Sequence, residues 1–157
     1  MVKLNSLACA IIFKDKPDVL IDAIDSLVPK LALLEYAWKN EIPVISSMGA
    51  ALRTDPAHVK VADLMKTEMC PLAKQIRQKL RRRDVGQGIT AIYSTEPVKY
   101  EYKQPEEEEY SDRNEPGADR GRPRMVLGSL PTLTGIFGLT IANVALKKLT
   151  GGFFTTD

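Results

Sequence analysis

An α/β domain built on a mostly parallel sheet is predicted by three features of this 157-residue sequence. Val19–Ile24 (VLIDAI) is mainly apolar and does not alternate, the pattern of a parallel strand buried on both faces. An amphipathic stretch follows it, and then a second apolar segment, Ile42–Ser46 (IPVIS). Strand, helix and strand in that order make a crossover unit, which requires parallel pairing.

Asp18–Ile24 is expected to be a central strand. Ser26 stands where a helix cap belongs, and Pro29 is tolerated in a first helical turn. Leu27, Leu31, Leu34 and Trp38 then recur on one helical face, with a stop expected near Asn40. After the strand at Ile42–Ser46 come the glycine-containing turn SSMGAA and a turn at Arg53–Pro56 (RTDP). His58–Leu64 (HVKVADL) has the composition of a further short strand. A second helix is expected from Pro71, burying Leu72, Ile76 and Leu80, and Gly88–Pro97 (GITAIYSTEP) reads as another strand. Residues 101–124 are acidic, rich in proline and glycine and without apolar period, which predicts a flexible loop. An apolar helix over Thr132–Leu149 closes the domain at Gly151–Gly152, so that residues 1–157 form one unit.

The overall charge of +2, with 44% hydrophobic and 27% charged residues, gives no global field toward a polyanion. Locally the charge is polarised. Lys74–Arg83 (KQIRQKLRRR) holds six cations and no acid, whereas Glu101–Glu115 holds seven acids against two cations. Lys74, Arg77, Lys79, Arg81, Arg82 and Arg83 fit either a phosphate-gripping face or a solvated one. Two cysteines, Cys9 and Cys70, cannot build a disulfide framework and suit a reducing, cytoplasmic setting. The first residues lack the continuous apolar core of a signal peptide. Met125–Leu146 is uncharged and long enough for a bilayer, but its Gly, Ser, Thr, Pro and Asn content favours a helix buried in protein over membrane association.

The candidate site lies where the first strand ends. In open parallel sheets ligands bind beyond the carboxyl ends of the strands, and Asp22 and Asp25 fall there. Asp25 has two readings: a helix cap, or an oxygen ligand for Mg2+, which takes one or two carboxylates beside phosphate oxygens. Lys30 is either a phosphate counter-charge at the same helix start or a solvated side chain. Cys70 and His58 lack the neighbours of a nucleophile or a transition-metal site.

VLIDAIDSLVPK, IPVISSMGA, RTDP, VADLMKTEMCPLAKQIRQKLR, YSTEP and GSLPTLTGIFGLTIANVALKKLTG together resemble the tRNA threonylcarbamoyladenosine dehydratase family. That family is part of the ubiquitin-activating-enzyme-like superfamily of Rossmann-like, ThiF-type adenylyltransferases. The likeness runs from Asp18 to Gly152. It implies ATP-dependent cyclisation of threonylcarbamoyladenosine in tRNA through an acyl-adenylate, with Mg2+ on the phosphates. By the same resemblance Asp25 is the magnesium aspartate, Lys30 faces the phosphates, and Asp22 supports the strand end and the nucleotide. A tRNA partner turns the cationic helix into an RNA-binding face, and a homodimer is expected.

Family members also carry a strand, a glycine-rich phosphate loop, a ribose-binding acid, and an arginine and lysine that grip ATP. None has a counterpart in these 157 residues, and Gly86-Gln87-Gly88 follows a helix instead of opening one. The resemblance is therefore to the C-terminal half of the fold, lacking the N-terminal nucleotide-binding half. Two expectations follow: an incomplete enzyme, or a non-catalytic remnant or interaction module pairing with a full-length homologue.

Overall fold

The computed structural model describes residues 9, 11–98 and 127–151 of the chain. The expected acidic loop over 101–124 lies outside the described residues. Strand β1 (Leu20–Asp22) leads into helix α1 (Leu27–Lys39) and strand β2 (Val44–Ser47). Strand β3 (Val59–Asp63), helix α2 (Pro71–Arg81), strand β4 (Ile89–Ser94) and helix α3 (Pro131–Leu149) complete the domain. The strand order is β1-β2-β4-β3, with β1, β2 and β4 parallel and β3 antiparallel to β4.

Three layers result. Residues alternate across the pleat, so Val44, Ile89, Ala91 and Tyr93 face one side and Ile45 and Ile92 the other. On the first side they pack under Leu31, Leu34 and Ala37 of α1 and Ala73, Ile76 and Leu80 of α2. On the second they meet Leu133, Phe137, Ile141 and Ala145, the i, i+4 stripe of α3. The expected inward residues Leu27, Trp38 and Leu72 are only partly buried, and Lys30, Leu33 and Ala73 take the deeper positions.

β1 departs from expectation. It is shorter than Asp18–Ile24, and among the described strands it is the edge, not the centre. Ile21 pairs in register with Ile45 and so lies on the α3 side, yet it remains 50% exposed because α3 packs chiefly over β2 and β4. α3 is likewise a one-sided helix: Leu139 is 73% and Leu146 55% exposed. No helix among the described residues is long and apolar enough to cross a membrane.

Polar tethers lock the connections. Glu96, in the STEP segment, accepts the Thr54 amide at 2.8 Å, the Asp55 amide at 3.0 Å and the Thr54 hydroxyl at 3.2 Å. Asp63 accepts the Met65 amide at 2.8 Å and the Gly88 amide at 2.6 Å. Gly88 has φ +120, a backbone conformation that side chains rarely adopt, so this turn favours glycine. Trp38 in turn donates to the Gln87 carbonyl at 2.8 Å. Gly86-Gln87-Gly88 is thus a packing turn against α1.

Two outcomes test these contacts. Leu34→Ala, which empties a fully buried site, should cost about 2–5 kcal/mol in urea unfolding. The Glu96 carboxyl is held below the usual range by hydrogen bonds from the Asp55 and Thr54 amides. A carboxyl lowered in the folded state stabilises above its unfolded pKa, and that contribution fades as pH falls through the folded value. The stability advantage of the wild type over Glu96→Gln should therefore be full at neutral pH and shrink on acidification below about 4.3, the unfolded glutamate value. A pH-independent difference would contradict the clamp.

Candidate active site

The polar centre at the end of β1 is a buried ion pair. Asp22 is 1% and Lys30 0% exposed, with Lys30 Nζ 2.7 Å from Asp22 Oδ2. Register puts Asp22 beside Ser46, whose hydroxyl donates to Asp22 Oδ2 at 2.5 Å. The Ile24 amide donates to Asp22 Oδ1 at 3.0 Å. Lys30 Nζ donates further to the Ile24 carbonyl at 3.1 Å and the Ser47 carbonyl at 2.8 Å. Its three N–H groups are thereby matched by three acceptors. Lys30 is not solvated, and in this arrangement it retains no N–H directed at a phosphate.

Asp25 sits differently. It is exposed, and helix α1 starts at Leu27 with no side-chain hydrogen bond from Ser26 at the cap position, so neither Asp25 nor the Ser26 hydroxyl serves as the expected cap. It borders an open cleft of about 300 Å³ beyond the carboxyl ends of β1 and β2. Ala23, Ile24, Ser47 and Gly49 form the strand side of this cleft, while Thr134, Phe137 and Gly138 of α3 face them. Among the described lining residues Asp25 is the only charged one. A larger depression of about 600 Å³ beside Trp38, Pro43 and Gly88 lies at the opposite ends of the strands.

The donor set fits a shared cation, not a self-contained one. The described residues hold no group of three metal-ligating side chains, and one exposed carboxylate suits Mg2+ only together with phosphate oxygens. Cys70 is 3% exposed at the start of α2, which leaves it poorly placed as a nucleophile. Burial pushes the Cys9 thiol up.

The cationic helix is partly committed to internal contacts. Arg77 donates to the Thr67 hydroxyl. Arg83 pairs with Glu35 at 2.6 Å, and Glu35 also binds Lys39 at 2.8 Å. The Lys39 hydrogen bond, seconded by Arg83, holds the Glu35 carboxyl below its ordinary range. Lys74, Lys79, Arg81 and Arg82 are exposed and form no ion pair with another described residue.

Arg53 holds the backbone of Gly49, a residue of the cleft lining, a part the RTDP turn did not disclose. Only 3% exposed, it donates to the Gly49 carbonyl at 3.1 Å and the Met69 carbonyl at 3.0 Å, and its Nε has no partner. Leu52 beside it and Met69 both adopt left-handed backbone, at φ 60 and φ 54. An arginine between two turn signals gives no sequence cue that it is buried.

Removing one member of a buried pair strands the other charge. Asp22→Ala should therefore cost about 3–5 kcal/mol in denaturant unfolding. A loss below about 1 kcal/mol, the scale of an exposed pair, would contradict the burial.

Comparison with known proteins identifies the family and the fold. The sequence model of the ThiF family matches residues 3–155. tRNA threonylcarbamoyladenosine dehydratase 1 of Saccharomyces cerevisiae is 39% identical over 146 residues, covering 90% of this chain and 33% of the yeast protein. tRNA threonylcarbamoyladenosine dehydratase of Escherichia coli is 34% identical over 140 residues, covering 82% of this chain and 50% of that protein. The crystal structure of E. coli tRNA N6-threonylcarbamoyladenosine dehydratase, TcdA, in complex with ATP superposes with a TM-score of 0.72 at 28% identity. That match covers 94% of this chain and 54% of the other. The chain thus spans a third to a half of the curated relatives' length, and it belongs to the ThiF family.

Proposed function

We propose that this chain is the part of an ATP-dependent tRNA threonylcarbamoyladenosine dehydratase that carries the metal-side carboxylate and the RNA-facing helix. The observation that supports it most is Asp25: an exposed, uncapping carboxylate, alone in a cleft at the carboxyl ends of parallel strands, in a ThiF-family fold. A relative of known structure binds ATP.

In the proposed reaction the carboxylate of the threonylcarbamoyl group attacks the α-phosphorus of ATP and releases pyrophosphate, and the activated acyl carbon is then attacked from within the same side chain. The ring closes and AMP departs. Asp25, with phosphate oxygens, would hold Mg2+, which offsets charge developing on the transferred phosphate. The cleft walls Phe137 and Ile141 keep an apolar boundary on one side of that carboxylate. Lys74, Lys79, Arg81 and Arg82 would contact tRNA phosphates, with Arg77 and Arg83 joining if they leave Thr67 and Glu35. The glycine-rich phosphate loop of the family is not among these residues, so the nucleotide grip belongs to another part of the complete fold.

One observation favours a second reading. Strand β1 presents a free edge among the described strands, and Ile21, Leu139 and Leu146 are bare nearby or on the outer face of α3. Unpaired edges and large bare apolar residues invite a partner, either a second copy or a full-length homologue. Titrating the chain with MgATP and measuring its mass in solution separates the two: saturable MgATP binding favours the enzyme half, and dimerisation without it favours the interaction module.

In a protein holding the complete fold, Asp25→Ala should abolish tRNA-dependent AMP formation while changing stability by less than about 0.5 kcal/mol, as exposed substitutions do. Retained turnover, or unfolding, would overturn the metal role. Replacing Arg81, Arg82 and Arg83 with Ala should lower the salt slope of tRNA binding by roughly one unit for every phosphate that is no longer neutralised. An unchanged slope would remove the helix from the RNA interface.

A further inference from the structure

We propose that Lys30 is a positioning residue of the cleft, holding its two strand-end loops together and thereby aiming Asp25, without touching nucleotide itself. It rests on the reading of Asp25 as the carboxylate that holds a phosphate-bound cation.

The geometry leaves Lys30 little else to do. Its ammonium is 0% exposed, and its three N–H groups go to Asp22 Oδ2, the Ile24 carbonyl and the Ser47 carbonyl. Ile24 immediately precedes Asp25, and Ser47 is the last residue of β2; both line the cleft. One ammonium therefore joins the exit of β1 to the exit of β2 at the level of Asp25. Neither of the usual stability terms favours a lysine here. It stands in the first turn of α1, a turn without any acid, where the helix dipole disfavours a cation. A buried ion pair is also commonly no more stable than apolar side chains of the same volume. What it does supply is direction, since a tetrahedral donor with three fixed acceptors sets the separation of two loops that no backbone ladder pairs. The resemblance-based expectation that Lys30 faces the phosphates is replaced by a role one step removed.

Asp22→Asn/Lys30→Met separates this from a need for charge balance. The double variant buries no charge, the asparagine oxygen keeps an acceptor for Ile24 N–H, and its amide nitrogen can donate to the Ser46 hydroxyl, so the Lys30–Asp22 contact and the two carbonyl tethers are what disappear. Two amides report on the loops: Ile24, bonded to Asp22 at 3.0 Å, and Met48, bonded to the Ile92 carbonyl at 2.8 Å. In the full 157-residue chain, hydrogen exchange of both should rise about tenfold or more, while amides inside the β2–β4 register, Val44–Ser46 and Ile89–Ala91, change by less than about twofold. In a protein holding the complete fold, Mn2+ added with ATP should broaden amide resonances around Asp25 in the wild type and do so less in the double variant. Unchanged exchange at both amides would overturn the proposal. A uniform rise across the sheet, or failure of the variant to fold, would overturn it too, since either makes Lys30 a core residue. Absence of Mn2+ broadening in the wild type, with the local exchange effect intact, would instead refute the role of Asp25 and leave the tether standing.

Discussion

The contact between Asp22 and Lys30 organises this domain at the carboxyl ends of β1 and β2, where the proposed site lies. A parallel sheet fixes strands by their ladders, but the ladders stop at the strand ends, and the loops beyond them need other restraints. Here a carboxylate on the last residue of β1 accepts from a β2 hydroxyl, from its own chain two residues on, and from an α1 ammonium. The same ammonium reaches two carbonyls on the rim. Sheet, helix and both loops meet in one saturated network, and a saturated network admits one geometry.

Everything outside that network reads as a consequence. With Asp22 occupied internally, Asp25 is the carboxylate left for solvent and ligand, three residues further along the chain. Arg53 repeats the device one loop away, binding the carbonyls of Gly49 and Met69 so that the exit of β2 is held against the entrance of α2. Glu96 does the same for the turn at Thr54 and Asp55, using a carboxylate to collect amides. These charged groups lie outside the cleft lining and are committed to backbone partners; within the lining, Asp25 is the one charged residue among those described.

Much of the architecture was legible because it follows from period and punctuation. Helix α1 ends at Lys39 with Asn40 as its cap, where the Leu27–Trp38 stripe runs out. Helix α2 begins at Pro71, the residue whose missing N–H makes it a natural first position. Other features depend on neighbours that a linear pattern does not contain. An apolar run looks the same in a central strand and at an edge, so β1 was legible as a strand but not as the boundary of the described sheet. A lysine next to a helix start looks solvated or ligand-facing, and only the pairing of Asp22 with Ser46 across β1 and β2 shows that it is enclosed. Arg53 sits in a turn signal and Glu96 in a stretch that reads as strand but lies past its end at Ser94, and most of their partners are distant along the chain.

The relatives extend beyond this chain, which spans a third to a half of their length, and ATP is bound in one of them. The central claim is that a cation bridges Asp25 and nucleotide phosphates in the cleft between the strand ends and α3. Anomalous diffraction from crystals grown with Mn2+ and ATP tests it most directly. A peak within coordination distance of the Asp25 carboxylate, about 2.0–2.2 Å for a small divalent ion, with Lys30 still on its three acceptors, is the expected result. A peak elsewhere, or bound nucleotide whose cation does not touch Asp25, would contradict it.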